Sequence, residues 1–191
     1  MQIDVIDLYQ IHRPDVLTHP EETAAALTQL RQQGKVREIG VSNFSVHQVS
    51  ALQRYLPFPI ATQQPELSAW CLAPLDDGVI DQCMQERITP LAWSPLAGGR
   101  LGLAADTARA GDGGERLATL IDALEELAAS KVAPRSAVAL AFLLHHPAGV
   151  VPIIGTQQLD RIRTCAAAVG VSLSRDEWYS LLAAARGRRL P

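Results

Sequence analysis

Short β-branched segments alternate with longer amphipathic segments along the 191 residues, and this alternation limits the fold more than any other feature. The segments predicted as strands recur about every 30 residues, which is the spacing of a βαβ unit. They are almost continuously apolar, as strands covered on both faces of a parallel sheet are. The sequence therefore predicts an α/β fold in one domain, residues 1–191, with a five-stranded parallel sheet and covering helices. The predicted strands are Ile3–Ile11, Val36–Val41, Phe58–Gln63, Thr89–Trp93 and Val150–Ile154.

Signals for helix ends separate these strands. Pro20 opens a helix and Gly34 closes it, because proline fits the first turn and glycine adopts the left-handed backbone that ends a helix. Ser45 is placed to cap the next helix, and Ser174 with Glu177 forms a capping box for the last one. The predicted helices are 20–33, 45–55, 79–87, 115–130, 134–145, 159–169 and 174–186, and residues 95–114 are predicted as a loop.

Composition excludes several classes of partner. The net charge is −3 and the pI is about 5.9, whereas a nucleic-acid-binding surface is typically basic. No apolar run approaches the roughly 18 residues of a membrane span, and no secretory signal opens the chain. The three cysteines, Cys71, Cys83 and Cys165, are widely spaced, which excludes a disulfide framework and indicates a reducing cytoplasm.

Common nucleotide and metal motifs are absent. No GxGxxG follows a predicted strand, so a Rossmann dinucleotide site is not supported, and no GxxxxGK[ST] indicates a P-loop. The five histidines lack the spacing of metal ligands, so no metal is predicted.

Hydrogen-bonding residues instead follow every predicted strand. Ligands of parallel α/β folds bind beyond the carboxyl ends of the strands, so these exits predict one polar rim around a ligand. The exits are His12, Ser42–Asn43, Gln64, Ser94 and Gly155–Thr156.

Five segments in this order resemble the last five strands of the aldo-keto reductases: DLYQIHRPD, IGVSNF, ATQQPELS, LAWSPLAGGRL and VPIIGTQQLDRIR. The resemblance runs from residue 3 to about residue 170. It implies an incomplete (β/α)8 TIM barrel that lacks roughly the first three βα units. It also implies an NADPH-dependent oxidoreductase (NADP+ in the reverse direction) that reduces the carbonyl of a small aldehyde or ketone.

The resemblance assigns a role to each exit. His12 matches the histidine that orients and polarises the substrate carbonyl, and Trp93 matches an aromatic ring that stacks on the nicotinamide. The residues that match contacts to the nicotinamide carboxamide are Ser42, Asn43 and Gln64. Those that match the loop beside the pyrophosphate are Ser94 and Leu96, with Gly98 and Arg100 as neighbours. Those that match the segment holding the adenosine 2′-phosphate are Gly155, Thr156 and Arg161.

Two departures from the family pattern affect the function. Thr164 and Cys165 stand where much of the family has Glu-Asn near the adenine. The catalytic Asp, Tyr and Lys of the family precede the strand that bears His12, and none of the residues Tyr9, Tyr55, Tyr179, Lys35 and Lys131 occupies those motif positions. We therefore expect this polypeptide to be a truncated form with weak activity or none.

Two alternatives remain open at this point. The chain is alternatively a non-catalytic remnant that binds a nucleotide or another subunit, with outer strands whose exposed edges favour self-association. Five strands also permit a flavodoxin-like domain, although the segment HRPDVLTHP after the first strand offers no glycine for a phosphate loop.

Overall fold

The computed structural model describes residues 3–188, and its strands pair in the order β1-β2-β3-β4-β5. The pairs β1–β2, β2–β3 and β3–β4 are parallel, which confirms the predicted five-stranded α/β sheet with helices between its strands. The strands are β1 (Ile6–Ile11), β2 (Val36–Ser42), β3 (Thr62–Gln64), β4 (Thr89–Ala92) and β5 (Val151–Pro152). The helices are α1 (Pro20–Gln32), α2 (Val46–Gln53), α3 (Ala73–Asp76), α4 (Val79–Glu86), α5 (Ala105–Arg109), α6 (Gly114–Lys131), α7 (Arg135–Leu144), α8 (Leu159–Ala166) and α9 (Arg175–Arg186).

The chain divides into two compact units. Unit 1 comprises residues 1–65 and 74–91, and unit 2 comprises residues 66–73 and 92–191. The prediction of a single domain is not tested by this division and stays a prediction.

In unit 1, helices α1 and α2 pack on strand β2. Ile39 and Val41 of β2 are completely buried. They belong to one apolar cluster together with Leu27 of α1 and with Val49 and Leu52 of α2. The helix ends follow the predicted signals. Pro20 starts α1, Gly34 adopts φ +69° just after it, and Ser45 caps α2 in a capping box with Gln48.

In unit 2, helices α6, α7 and α9 form most of the core. Trp178 of α9 stacks on Phe142 of α7 with ring centroids 4.7 Å apart, and its Nε1 donates to the Phe142 carbonyl oxygen at 2.8 Å. Ser174 and Glu177 form the predicted capping box at the start of α9. Among residues 3–188, no single helix is long and apolar enough to cross a membrane. Helices α6 and α7 taken together have the length and apolar composition of a membrane span, but the chain bends by 96° between them.

The largest differences from the predicted elements are at β3 and in residues 95–114. Strands β1 and β5 are also shorter than predicted, and helix α3 was not predicted. Strand β3 covers Thr62–Gln64, whereas the predicted strand began at Phe58. The backbone before Thr62 binds the Gln53 side chain instead of a neighbouring strand. Gln53 Nε2 donates to Phe58 O at 2.8 Å, and Gln53 Oε1 accepts from Ile60 N at 2.9 Å. The predicted loop 95–114 contains a 3-10 segment, Ala97–Gly102, and helix α5. Both are short elements with no side-chain cap, so the sequence carries little signal for them.

Candidate active site and nucleotide site

The four residues predicted at the exits of β1, β2 and β3 lie together in unit 1. Ser42 Oγ donates to the Gln64 carbonyl oxygen at 2.8 Å, and Asn43 N donates to the same oxygen at 3.2 Å. Asn43 Nδ2 donates to Ser42 Oγ at 3.0 Å and to the His12 carbonyl oxygen at 3.4 Å. Backbone and side-chain bonds thus join the ends of three neighbouring strands. His12 itself is exposed just beyond β1.

Asn43 has a left-handed backbone, with φ of +59°. Asparagine accepts this conformation more readily than most residues, and it turns the chain sharply at the end of β2. The turn gives the Asn43 amide its contacts to Ser42 and His12. Backbone strain of this kind is often found at ligand sites.

A second polar layer lies one step earlier on the same three strands, and the sequence analysis did not find it. Thr62 Oγ1 donates to Gln10 Oε1 at 2.9 Å, and Gln10 Nε2 donates to Gln64 Oε1. Gly40 lies between Gln10 and Thr62 in register on β2. The sequence carried only a weak signal for this layer, because β1 also contains Asp7 and all three residues of β3 are polar.

Gln63 is also a buried polar residue, with 1% of its surface exposed. Its Nε2 donates to the Phe44 carbonyl oxygen at 2.7 Å, which holds the turn after β2. Its Oε1 is buried without a hydrogen-bond partner among the described residues. Gln63 therefore supports the exit loop, while its neighbour Gln64 faces the polar layer.

Unit 2 contains a cleft of about 820 Å³ where the loop after β4 and the loop after β5 meet. Most residues that the resemblance assigned to the pyrophosphate and the 2′-phosphate line it: Ser94, Leu96, Gly98, Gly155, Thr156 and Arg161. Arg100 is exposed and is not among its lining residues. Trp93 follows β4, and its carbonyl oxygen accepts from Leu67 N at 3.3 Å.

The loop after β4 has an unusual backbone. Ser94, Ala97, Gly98 and Gly99 all have positive φ values, of 48°, 54°, 63° and 93°. The turn is closed by Ala97 N, which donates to Ser94 O at 2.7 Å. A left-handed non-glycine residue costs roughly 1–2 kcal/mol, so two of them beside a cleft indicate a ligand-binding loop. Backbone N–H groups exposed in such turns bind anions.

The polar groups of the cleft suit an anion. Arg161 and Arg135 line it, and no Asp or Glu is among the lining residues that the structure describes. Helices α7 and α8 both start without a side-chain cap, and residues of their first turns line the cleft. Uncapped N–H groups at a helix start favour negative charge.

Arg135 is a cleft residue that the sequence analysis missed. It begins α7 after Pro134, and its Nη1 lies 3.0 Å from Glu125 Oε2, so part of its charge is already neutralised. Arg161 makes no ion pair within residues 3–188. The sequence carries no clear signal for Arg135, since a cation in the first turn of a helix gains nothing from the helix dipole.

Thr164 and Cys165, which depart from the family pattern, also line the cleft. Burial raises the pKa of the Cys165 thiol, so this side chain is a neutral, compact wall of the cleft. Thr164 Oγ1 donates to the Asp160 carbonyl oxygen at 2.7 Å within α8. No group of three His, Cys, Asp or Glu residues capable of holding a metal ion occurs within the described part of the chain.

The model of the Aldo/keto reductase family matches residues 1–186, and the chain belongs to this family. The match confirms the resemblance that the strand exits predicted. It extends beyond residue 170, where the recognisable motifs end.

Two individual relatives carry more specific names than the family does. The chain is 46% identical over 191 residues to a 6-dehydroglucose reductase of Novosphingobium aromaticivorans. The aligned region covers all of this chain and 60% of that protein. The chain is 38% identical to a 6-dehydroglucose reductase of Agrobacterium fabrum, again over all of this chain and 60% of the relative. The chain thus spans about three-fifths of the length of these relatives.

Solved structures agree on the fold. A glycerol dehydrogenase from Gluconobacter oxydans is 26% identical with a TM-score of 0.84, covering 100% of this chain and 62% of that one. The thermostable aldo-keto reductase Tm1743, solved with the inhibitor epalrestat, is 29% identical with a TM-score of 0.82. The match covers 95% of this chain and 60% of that one. The predicted incomplete barrel is confirmed by this coverage.

Proposed function

We propose that this chain carries the cofactor-binding and carbonyl-orienting residues of an NADP(H)-dependent oxidoreductase that interconverts small aldehydes or ketones and alcohols. The observation that carries the proposal is the cleft of unit 2, with its arginines, its uncapped helix starts and its strained loop. These groups fit phosphates, since arginine and free N–H groups are the usual phosphate ligands.

Each unit, taken by itself, presents residues that fit one part of the cofactor. Arg161 and Thr156 would hold the 2′-phosphate, and Ser94 and Leu96 would lie beside the pyrophosphate. In unit 1, the amide and hydroxyl groups of Ser42, Asn43 and Gln64 would bind the carboxamide. Trp93, which belongs to unit 2, would stack on the ring. When bound, NADPH supplies the hydride.

His12 would hold the carbonyl oxygen of the substrate. It is exposed at the end of β1, and Asn43 binds its backbone oxygen, so the backbone is fixed while the imidazole stays accessible. A donor aimed at the oxygen on which negative charge develops stabilises the transition state. The imidazole would therefore orient and polarise the carbonyl.

Reduction also requires a proton donor. The resemblance implies a tyrosine tuned by Lys and Asp, at positions that precede the strand of His12. Tyr9 lies within β1, Tyr55 follows α2 and Tyr179 lies within α9, so no tyrosine of residues 3–188 follows a strand. Lys131 is paired with Glu177 at 2.7 Å. We infer that the 191-residue polypeptide alone reduces carbonyls weakly or not at all.

The relatives suggest a substrate class. Two of them are called 6-dehydroglucose reductase, so a sugar carrying an aldehyde at its terminal carbon is the substrate we propose for the protein to which this chain belongs. The three cysteines are free, which fits the proposed cytoplasmic location.

The cofactor site is tested by titrating the polypeptide with NADPH and following nucleotide fluorescence. We expect Arg161→Ala to weaken NADPH binding by roughly 10-fold or more while leaving NADH binding unchanged, since a charged hydrogen bond contributes about 1.5–3 kcal/mol. The matched control is Arg163→Ala on the same helix, because Arg163 is outside the cleft and pairs with Asp160. Equal effects of the two changes on NADPH binding would contradict the proposed site.

Turnover is tested with NADPH and an aldehyde. We expect binding of NADPH without appreciable oxidation by the 191-residue polypeptide. Rapid oxidation that is abolished by His12→Ala would show that the polypeptide is catalytically sufficient and would refute our inference about the proton donor.

The alternative of a non-catalytic nucleotide-binding or subunit-interaction protein is favoured by one feature, the exposed outer strand β1. Leu8 and Tyr9 are 37% and 40% exposed there, and an exposed apolar edge promotes strand pairing with another chain. Sedimentation across a concentration series tests the predicted self-association. Leu8→Lys is expected to reduce it, and a monomer at all concentrations would contradict it.

A further inference from the structure

A polar layer of unit 1 lies directly beneath the residues assigned to the carboxamide. Gln10 pairs in register with Gly40, and Gly40 with Thr62, so these residues form one row across β1, β2 and β3. Two residues further along each strand lie His12, Ser42 and Gln64. Side chains at i and i+2 share a face of a strand, so both rows face the same side of the sheet. In barrels of this family's fold, side chains that face the inside of the sheet are usually Val, Ile and Leu.

The row contains a hydrogen-bond chain with a definite direction. Thr62 Oγ1 donates to Gln10 Oε1 at 2.9 Å, which orients the Gln10 amide so that its Nε2 donates to Gln64 Oε1. The carbonyl oxygen of the Gln64 side chain is therefore occupied. Gln64 Nε2 donates to no residue among residues 3–188, so the end of Gln64 that is available to a ligand is its donor end.

Gly40 provides the space for this chain. A Cβ at position 40 would lie 2.0 Å from Thr62 Oγ1 and 2.9 Å from the Cγ and Oε1 atoms of Gln10. Any side chain on the middle strand would therefore separate Gln10 from Thr62. The glycine and the two polar side chains form one arrangement, contributed by three strands.

We propose that Gln10 is a positioning residue that sets the direction of the Gln64 amide, so that Gln64 presents N–H rather than C=O to the carboxamide oxygen of the cofactor. The proposal rests on the proposed function, which assigns Gln64 to the carboxamide. An amide in the opposite orientation would place two carbonyl oxygens face to face. Gln10 thereby determines whether Gln64 attracts or repels the oxygen of this ligand group.

Four variants distinguish an effect on the direction of the Gln64 amide from an effect on packing. Gln10→Leu removes the chain, while Gln10→Glu supplies only acceptors, so that Gln64 must donate to it and turn its own oxygen outward. Thr62→Val removes the first donor at nearly constant volume, and Thr62→Ser keeps it. The matched control is Gln85→Leu, because Gln85 is exposed on α4 and its side chain donates to the neighbouring Glu86.

The binding experiment compares NADPH with 2′-phospho-ADP-ribose, which has the same phosphates and no nicotinamide. We expect Gln10→Leu and Thr62→Val to weaken NADPH binding roughly three- to tenfold, the range for one lost hydrogen bond. We expect Gln10→Glu to weaken it further, and Thr62→Ser and Gln85→Leu to resemble the unsubstituted chain. Affinity for 2′-phospho-ADP-ribose should remain unchanged in all of them.

Equal losses for both ligands would show that Gln10 only supports the fold, which overturns the proposal. So would a Gln10→Glu variant that binds NADPH as tightly as the original chain. A second measurement needs no cofactor: the scalar coupling across the hydrogen bond, observed by NMR. We expect coupling between Gln10 Nε2 and the Gln64 side-chain carbonyl carbon, and coupling in the reverse direction overturns the proposal. Failure to bind either ligand would contradict the proposed function, while this coupling would still decide the orientation of the amide.

Discussion

The two units carry their predicted site residues in different ways. In unit 1, Ser42, Asn43 and Gln64 are neutral groups bound to one another through hydrogen bonds between strand ends. In unit 2, the cleft has arginines, helix starts and a loop with positive φ values. Overall charge differs in the same direction, with six basic and ten acidic side chains in unit 1 and eleven and ten in unit 2.

Under the proposed function, this difference corresponds to two kinds of ligand recognition. A network of amides and hydroxyls reads the pattern of donors and acceptors, and it is fixed before a ligand arrives. A cationic cleft reads charge, and its attraction is screened by salt. Unit 1 should therefore be sensitive to small changes of shape or orientation, and unit 2 should be sensitive to ionic strength and to loss of a cation.

The largest expected effect is on packing in unit 1. Gly40→Ala places a methyl group 2.0 Å from Thr62 Oγ1, and overpacking of this kind costs up to about 3 kcal/mol in the free energy of unfolding. Gly155→Ala in the cleft of unit 2 is the matched control, since an added Cβ there has no neighbour within 4 Å among residues 3–188. Urea denaturation measures both. Equal stability of the two variants would contradict the packing that we describe around Gly40.

A smaller loss is expected when one link of the unit 1 network is removed. Ser42 is 2% exposed, and its Oγ donates to Gln64 O and accepts from Asn43 Nδ2. Ser42→Ala should lower the free energy of unfolding by about 1–2 kcal/mol, because buried partners lose their bonds. Ser130→Ala in unit 2, at an exposed serine, should change it by less than about 0.5 kcal/mol. If both changes are neutral, the network does not stabilise the strand ends.

Ionic strength should distinguish the two kinds of recognition. Raising monovalent salt from about 0.05 M to about 0.5 M shortens the Debye length several-fold, so we expect NADPH affinity to fall by a factor of about five. Arg161→Ala should show a clearly shallower dependence, and Ser42→Ala should keep the original one. Parallel salt dependences for all three proteins would mean that the cleft does not attract the cofactor by charge.

The smallest effect concerns a pH-dependent contact in unit 2. Hydrogen bonds from Lys131 and from Ser174 N lower the pKa of Glu177 below its usual 4.5. Since the folded pKa is lowered, the stabilisation is present above pH 4.5 and is lost as pH falls through the folded value. Glu177→Gln should lower Tm slightly at neutral pH, and the difference should vanish in acid. Glu126→Gln, at an exposed position of α6, is the control, and a constant difference at all pH values would contradict this interpretation.

Much of the fold could be predicted from the sequence because local rules and tertiary packing agree. Pro20, Gly34, Ser45 and Ser174 act where capping chemistry places them, and family membership follows from the ordered strand exits. The start of β3 could not be predicted, since Phe58 and Ile60 bind a glutamine side chain that lies in the preceding helix.

Only some residues of the proposed site are visible in the sequence, for a physical reason. His12 and Asn43 follow strands and Arg161 lies in the first turn of α8, and such positions are visible in a linear sequence. The contact of Gln10 with Thr62 joins residues 52 positions apart, and it requires a register that only the paired strands define. Arg135 reaches the cleft because α7 begins there, which depends on the packing of unit 2.

The central proposal is that Arg161 binds the 2′-phosphate of NADP(H). Phosphorus NMR of NADP+ bound to the chain tests it most directly, because the 2′-phosphate has its own resonance and titrates near neutral pH. A nearby guanidinium favours the doubly charged phosphate, so the midpoint of this titration should move to lower pH in the complex and return in Arg161→Ala. A bound 2′-phosphate that titrates at the midpoint of the free nucleotide would contradict the proposal.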